Sequence, residues 1–483
     1  MGFSIILFSA ALSKKKITAV GATQPGFRSV ASSRLPSASY RTGGTAMTEK
    51  VVDRGVAVTM AGTGINLALG VLYAWSIFKG AIKQSIDAGG PDSFAWDPAN
   101  LNDPYAVCCL VFACSMFFAG RCQDKYGPRL TAIIGGLLVG AGFVLASTST
   151  SYGMWIISFG VLAGMGIAFG YSSATPPALK WFPPNKTGLI AGIVVSGFGL
   201  ASVYIAPTAQ YLLASWGLSR TMFFFGIGFM VVVSLLALLL INPPEGFKPK
   251  GFVDRRGSTN RHRDSRDLFE EVDFTPSQIL RSLAFWRVWL LYFIGAGSGL
   301  MVIGSVAGMA KSSLGANAFL VVAILAVGNA AGRVVAGMLA DKLGRCRTMA
   351  GMFGLQALMM FWAIPIISTA HPNALMLVGV ATMIGFNYGA NLSIFPTITK
   401  DLWGMKHFGV NYGTLFTAWG LGGFVMSKLS QALNAGSGSF ASSFATAGVL
   451  LLLGLCVVIF TRDQKETLRQ AVGKELRAPG VRA

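Results

Sequence analysis

Runs of about twenty apolar residues, each almost free of charge, recur along the whole chain, and only lipid suits such a surface. A membrane-spanning helix needs about 20 mainly apolar residues to cross the hydrocarbon layer. Such runs lie near 55–78, 104–120, 130–148, 153–176, 187–209 and 220–241, then near 286–308, 317–340, 348–369, 374–398, 409–430 and 441–460. Charged residues make up 12% of the 483 residues, against about 25% in soluble domains. A soluble fold of this composition would expose apolar patches and aggregate. With only 6 Cys, and with 34 Phe, the chain is neither a disulfide scaffold nor disordered. The expectation is an all-α membrane protein with twelve transmembrane helices in two six-helix halves. The domains are then a basic N-terminal segment (1–54), an N-terminal half (55–241), a linker (242–285), a C-terminal half (286–460) and a tail (461–483).

The charge balance is the second constraint. Lys and Arg number 39 against 19 Asp and Glu. With both termini and the linker on one side, thirty-three of the cations fall on that side. Lys79, Lys83, Arg220, Lys311 and Lys428 fall on the other, and Arg333 alone lies inside a span. This asymmetry reads as positive-inside, so both termini are expected in the cytoplasm. A nucleic-acid role is excluded, because no basic soluble domain exists to carry it.

Residues 1–46 contain no Asp or Glu, are Ser-rich and carry Lys14, Lys15, Lys16, Arg28, Arg34 and Arg41. Two readings fit: an organelle transit segment, or an upstream extension with initiation at Met47. The first would place the protein in an organelle membrane, the second in the plasma (inner) membrane. No cofactor or metal is expected. Cys108, Cys109, Cys114 and Cys456 fall in spans and Cys122 and Cys346 in short loops, none at metal-ligand spacing with His262, His371 or His407. Patterns such as Gly164-Met165-Gly166 sit in apolar helices and read as helix packing. No nucleophile–base pair is visible, and an enzyme is not expected.

The halves repeat one another. Gly120-Arg121-Cys122-Gln123-Asp124-Lys125-Tyr126-Gly127-Pro128-Arg129 follows the second span. Gly337-Met338-Leu339-Ala340-Asp341-Lys342-Leu343-Gly344-Arg345 follows the eighth. Both read Gly-x-x-x-Asp-Lys-x-Gly with basic residues after. Glycine permits the tight turn, the aspartate can pair with a facing helix end, and the cations keep the loop inside. Two such loops at equivalent places resemble the signature loop of the major facilitator superfamily. The resemblance implies pseudo-symmetric halves, substrate between them at mid-membrane, and transport by rocking. Gly120, Asp124, Arg129, Gly337, Asp341 and Arg345 are then gating residues. Gly70-Val71-Leu72-Tyr73-Ala74-Trp75-Ser76, Lys180-Trp181-Phe182-Pro183, Asn329-Ala330-Ala331-Gly332-Arg333, Phe395-Pro396 and Asn411-Tyr412-Gly413 are similar to the oxalate/formate antiporter branch, which includes monocarboxylate carriers. That resemblance implies small carboxylate substrates and a protein working as a monomer in the bilayer.

Arg333 carries most weight from the residues alone. It stands eight residues before Asp341, so about 12 Å from the helix end at 1.5 Å per residue. Snorkelling to the headgroups is strained at that depth. An arginine at the bilayer centre costs at least ~2.5–3.5 kcal/mol, and no Asp or Glu falls in any of the twelve runs. The missing partner is then the substrate, a carboxylate held by the guanidinium. The resemblance implies the same role for this arginine.

Oxalate carriers of the branch have a second cation, a lysine, in span eleven; the matching position here is Trp419. One cation suits one carboxylate, since a dicarboxylate would leave a desolvated charge unpaired. Formate, lactate or pyruvate is therefore expected over oxalate. Related monocarboxylate carriers place a proton-accepting acid four residues before the arginine, where this chain has Asn329. Asn329 shares a face with Arg333 and can orient it but cannot carry a proton. Coupling is left to a proton riding on the substrate, to a counter-anion, or to a loop acid such as Asp103. Tyr73, Trp75, Tyr171 and Tyr388 complete the candidate lining, as groups able to bond a carboxylate while covering its organic part. In the linker, Thr275-Pro276-Ser277-Gln278 predicts a short capped helix, and the tail after Arg462 is expected to fray. An exporter of drugs or other hydrophobic compounds is the competing function.

Overall fold

The computed structural model describes residues 53–90, 93–244, 247, 249, 273–314, 318–369, 373–437 and 440–475. The expectations placed on residues 1–46, on His262 and His371, and on the linker up to 272 lie outside the described residues. All regular structure among the described residues is helical.

The N-terminal half contains α1 (Gly55–Ala88), α2 (Asp103–Tyr126), α3 (Pro128–Ser147) and α4 (Tyr152–Lys180). These are followed by α5 and α6, the two arms of Thr187–Ala237. A short surface helix, Pro276–Arg281, leads into the second half. There α7 is Leu283–Leu314, α8 Ala318–Leu343, α9 Arg345–Ile367, α10 Ala374–Trp403, α11 Phe408–Ser437 and α12 Ala441–Glu475. Among the described residues, ten helical stretches are long and apolar enough to cross a membrane by composition. The α5–α6 stretch contains two spans, and α11 supplies the twelfth. Polar residues such as Asn411, Thr414, Thr417 and Lys428 weaken the apolar signal of α11. It nevertheless packs against both α2 and α7, so much of it faces protein rather than lipid.

Two boundaries depart from the sequence expectation. The first span continues to Ala88, passing through a 3-10 segment at Gly70–Ala74 where Gly70 lies against the Phe198 carbonyl. The tail does not fray directly after Arg462; α12 extends to Glu475. Spans five and six are separate helices, as expected, divided at Gly217, whose φ of 74° favours glycine. Thr275 and Gln278 form the reciprocal capping box that starts the helix before α7.

The repeated loops are built alike. Gly127 and Gly344, the last glycines of the two motifs, turn the chain at φ 85° and 92° between α2 and α3 and between α8 and α9. Gly120 and Gly337, the first glycines, lie where helices of the two halves touch. A Cβ on Gly120 would overlap the Gly409 carbonyl, and one on Gly337 the Gly188 carbonyl. Helix pairs α2–α11 and α5–α8 thus meet backbone to backbone, the close packing that glycine allows inside lipid. The contact continues inward, with Gly413 against the Met116 carbonyl and Gly192 against the Arg333 carbonyl.

Candidate substrate site

The motif end of the bundle is closed by two matching carboxylate caps. Asp124 of α2 accepts the backbone N–H groups of Gly409 (3.0 Å) and Val410 (2.9 Å) at the start of α11. Asp341 of α8 accepts those of Gly188 (2.9 Å) and Leu189 (2.8 Å) at the start of α5. Each acid therefore bonds the positive end of a helix from the opposite half, a charge-assisted arrangement. Beyond the caps the symmetry ends. Arg345 ties Asp341 (2.7 Å), Asp401 (2.9 Å) and Thr187 (3.2 Å) together, while the equivalent position in the first motif is Pro128 and the next residue, Arg129, is exposed.

Arg333 lies two turns above Asp341 and is fully buried. It does not snorkel. Its Nε donates to Asn329 Oδ1 one helical turn back, at 2.9 Å. Its Nη1 donates to the backbone carbonyl of Val195, on α5 of the opposite half. Its Nη2 has no hydrogen-bond partner. Among the described residues no carboxylate lies within ion-pair distance of it. Three glycines make this placement feasible. Gly192 and Gly199 let α5 approach Arg333 and Asn329, and Gly389 lets α10 approach the Asn329 carbonyl.

Aromatic side chains from both halves surround the guanidinium. Tyr171, Tyr292 and Tyr388 lie within its electrostatic reach. The hydroxyls of Tyr171, Tyr292 and Tyr412 cluster within weak hydrogen-bonding reach of one another, with Tyr412 facing the other two, and none has a well-formed bond to another group. A second set is connected: Trp419 Nε1 donates to Tyr388 Oη at 2.9 Å, and Tyr388 Oη meets Tyr73 Oη at 3.2 Å. The walls are Phe112, Phe198 and Phe416. Phe112 packs at 5.6 Å from Tyr171, 5.1 Å from Phe416 and 5.4 Å from Trp419, and Phe198 edges Tyr73 at 5.4 Å. One buried cation, three clustered hydroxyls and an apolar wall suit a small organic anion, since the hydroxyls and Nη2 are able to donate to a carboxylate and the rings to cover an organic part.

Of the residues selected from sequence, Arg333, Asn329, Tyr73, Tyr171, Tyr388 and Trp419 come together. Trp75 does not. It packs against Trp155 and Phe159 and donates to Asn102 (3.4 Å), because residues two apart on a helix face opposite sides. Asp103 does not enter the site either, since it accepts the Tyr152 hydroxyl at 2.7 Å at the start of α2. Tyr292 and Tyr412 were absent from the sequence selection. Tyr412 shares a helix face with Phe416 and Trp419 at spacings of four and seven, a signal that could have found it. Tyr292 carries no such signal; its stacking on Phe395, with centroids 4.1 Å apart, is a tertiary contact.

Comparison with known proteins agrees with this architecture. The chain matches the model of the Major Facilitator Superfamily over residues 55–327 and 299–482. It is 28% identical over 378 residues to the uncharacterised MFS-type transporter YhjX of Escherichia coli, covering 76% of this chain and 85% of that protein. The oxalate:formate antiporter of Oxalobacter formigenes is 25% identical over 355 residues, covering 72% of this chain and 77% of the relative. Apicoplast pyruvate carrier 1 of Toxoplasma gondii is 23% identical over 488 residues, covering 84% and 87%. Among solved structures, the proton:xylose symporter XylE superposes with a TM-score of 0.64 at 14% identity, covering 83% of this chain and 94% of that one. That likeness concerns the fold alone. With twelve helices, paired motif loops and a family match spanning both halves, this chain belongs to the Major Facilitator Superfamily and is a multi-pass secondary transporter.

Proposed function

We propose that the protein carries small monocarboxylate anions, of the formate, lactate or pyruvate type, by alternating access between its two halves. The observation behind this reading is Arg333: fully buried, with Nη2 unpartnered, and with no carboxylate at ion-pair distance among the described residues. A buried charge without a counter-charge is costly, and a bound anion supplies one. The similarity to an oxalate:formate antiporter and a pyruvate carrier supports the same class of substrate. Residues 55–241 and 286–460 act as the rocking halves, joined by the 242–285 linker. The motif loops and both termini face the cytoplasm, following the cation asymmetry. No acid stands beside Arg333 to take a proton, so charge balance comes from a proton carried on the substrate or from a counter-anion.

Trp419 sets the preference for one charge. Its indole is stacked on Phe416 (5.0 Å) and bonded to Tyr388, leaving Arg333 as the cation of the site. In a thermal-unfolding series on the purified protein, formate, lactate and pyruvate should stabilise it more than oxalate or succinate at equal concentration. At a hundredfold excess over Kd the gain is about 2.7 kcal/mol. Stronger stabilisation by the dicarboxylates would sink the single-charge reading. Trp419→Lys should raise oxalate uptake relative to pyruvate by about tenfold or more, because one added charge pair worth ~1.4 kcal/mol gives that factor. The parent ratio in the variant would count against Trp419 as the discriminator.

The aromatic walls also favour a second reading, export of hydrophobic compounds. Anion competition separates the two, since an exporter of neutral or cationic drugs should be indifferent to short carboxylates.

A further inference from the structure

Three consecutive carbonyl oxygens in the middle of α5 are each held by a side chain from another helix. Thr63 Oγ1 of α1, whose single proton is shared with the Thr59 carbonyl at 2.9 Å, reaches the Ile193 oxygen at 3.3 Å, and Asn66 Nδ2 of α1 donates to the Val194 oxygen at 2.9 Å. Arg333 Nη1 of α8 donates to the next oxygen, that of Val195. Helix carbonyls already accept from the residue four positions on, so the bonds to Val194 and Val195 use the remaining lone pair, while at Ile193 the Ser196 hydroxyl (2.7 Å) competes for it. One such bond is ordinary. Three in succession require α1 and α8 to press on the same turn, and glycine backbones allow it. Gly197 lies against the Thr63 carbonyl and Leu67 N–H, while a Cβ on Gly199 would come 3.4 Å from Arg333 Nε and 3.3 Å from Asn329 Oδ1. Phe198, in the same turn, edges both Tyr73 and Tyr171.

We propose that Asn66 is a positioning residue for Arg333, acting through this α5 turn. Asn66 is fully buried and belongs to the opposite half from Arg333. By fixing the Val194 carbonyl it fixes the orientation of the adjoining peptide, and so the place of the Val195 oxygen that anchors Nη1. With Nη1 held there and Nε held by Asn329, Nη2 is left free. The anion site is thus formed partly by the other half, and its affinity depends on closure of the motif end. Thr63 contributes the same way through a longer bond. The inference rests on Arg333 as the partner of the anion, and the test separates the two claims.

Pyruvate uptake is measured for Asn66→Leu, Thr63→Val, Arg333→Lys and the Asn66→Leu/Arg333→Lys double variant in proteoliposomes. Motif-end separation is measured on the anion-free proteins from spin-labelled residues incorporated at positions 129 and 342. Asn66→Leu should raise KM about tenfold, a loss of ~1.4 kcal/mol in binding, with kcat within about twofold. Thr63→Val should raise KM about threefold, a smaller loss in keeping with its longer bond. Thr63→Val also provides the answer if Asn66→Leu misfolds. Asn66→Leu and Arg333→Lys should each widen the motif-end distance distribution, and the double variant should widen it no further, since both break one chain of contacts. A purely structural Asn66 would lower the melting temperature and kcat while leaving KM alone. Unchanged KM and distances in the Asn66 and Thr63 variants, or additive widening in the double variant, would overturn the proposal. If Arg333→Lys transports pyruvate as the parent does, the anion role of Arg333 falls instead, and the distance cycle still judges the coupling of Asn66 to it.

Discussion

Replacing Arg333 with Met or Ala should abolish transport of pyruvate, lactate and formate while leaving the protein folded. Truncating one member of a buried, hydrogen-bonded charge pair costs about 2–5 kcal/mol. Uptake should therefore fall from about thirtyfold to a few thousandfold. Folding should survive for a specific reason. In the anion-free protein the partners of Arg333 are Asn329 Oδ1 and the Val195 carbonyl, with no carboxylate at ion-pair distance among the described residues. Removing the guanidinium strands no buried acid, and methionine replaces a buried charge by an apolar chain of similar length. The melting temperature of Arg333→Met should then match or exceed that of the parent. Arg333→Lys keeps the charge but loses the planar fork, so it should retain only a small part of the activity. Radiolabelled uptake alongside thermal unfolding gives both quantities. Undiminished uptake in Arg333→Ala would remove the central residue from the proposed mechanism.

Gly120→Val and Gly337→Val should also stop transport, by holding the motif end apart. At these positions a Cβ would overlap the carbonyls of Gly409 and Gly188, and backbone cannot yield as a side-chain tip can. Overpacking costs about 1–3 kcal/mol where neighbours can adjust; here the helices must separate, lengthening the bonds from Asp124 and Asp341 to the facing helix ends. Uptake should fall more than about a hundredfold, equivalent to ~2.7 kcal/mol or more. The distance between labels at 129 and 342 should widen in both variants. Gly351 makes the control: a Cβ there meets nothing within 4 Å, so Gly351→Ala should behave as the parent. Parent-like distances in the Gly120 and Gly337 variants would show that closure tolerates side chains there.

Much of this was legible in the sequence because lipid imposes simple rules. Twelve spans follow from segments that must bury every backbone polar group within themselves. The paired motif loops follow from a repeat visible by eye, and Arg333 from standing two turns deep in a run where the other cations lie near the ends. Spans five and six were legible as separate, because hydropathy falls where the non-helical backbone of Gly217 divides the two helices. Other positions were misread or missed. Trp75 was placed with Tyr73 through the resemblance of the whole Gly70–Ser76 segment, although residues two apart in a helix face opposite sides. Tyr292 and Asn66 could not be singled out, since one tyrosine or asparagine in an apolar helix resembles any other until its neighbours are known.

The sequence by itself determined the number of crossings, the pseudo-symmetric pairing of the halves and the identity of the one intramembrane cation. All three depend on local composition or on repeats. Only the tertiary structure decided what that cation touches. Which carbonyl Arg333 reaches, which hydroxyls cluster around it, and which aromatics form its walls depend on how α5, α8, α10 and α11 meet. Those approaches are set by glycines at 120, 192, 199, 337 and 389. Their importance comes from the backbone atoms opposite them, hundreds of residues away along the chain in some cases, and no pattern within one helix encodes that.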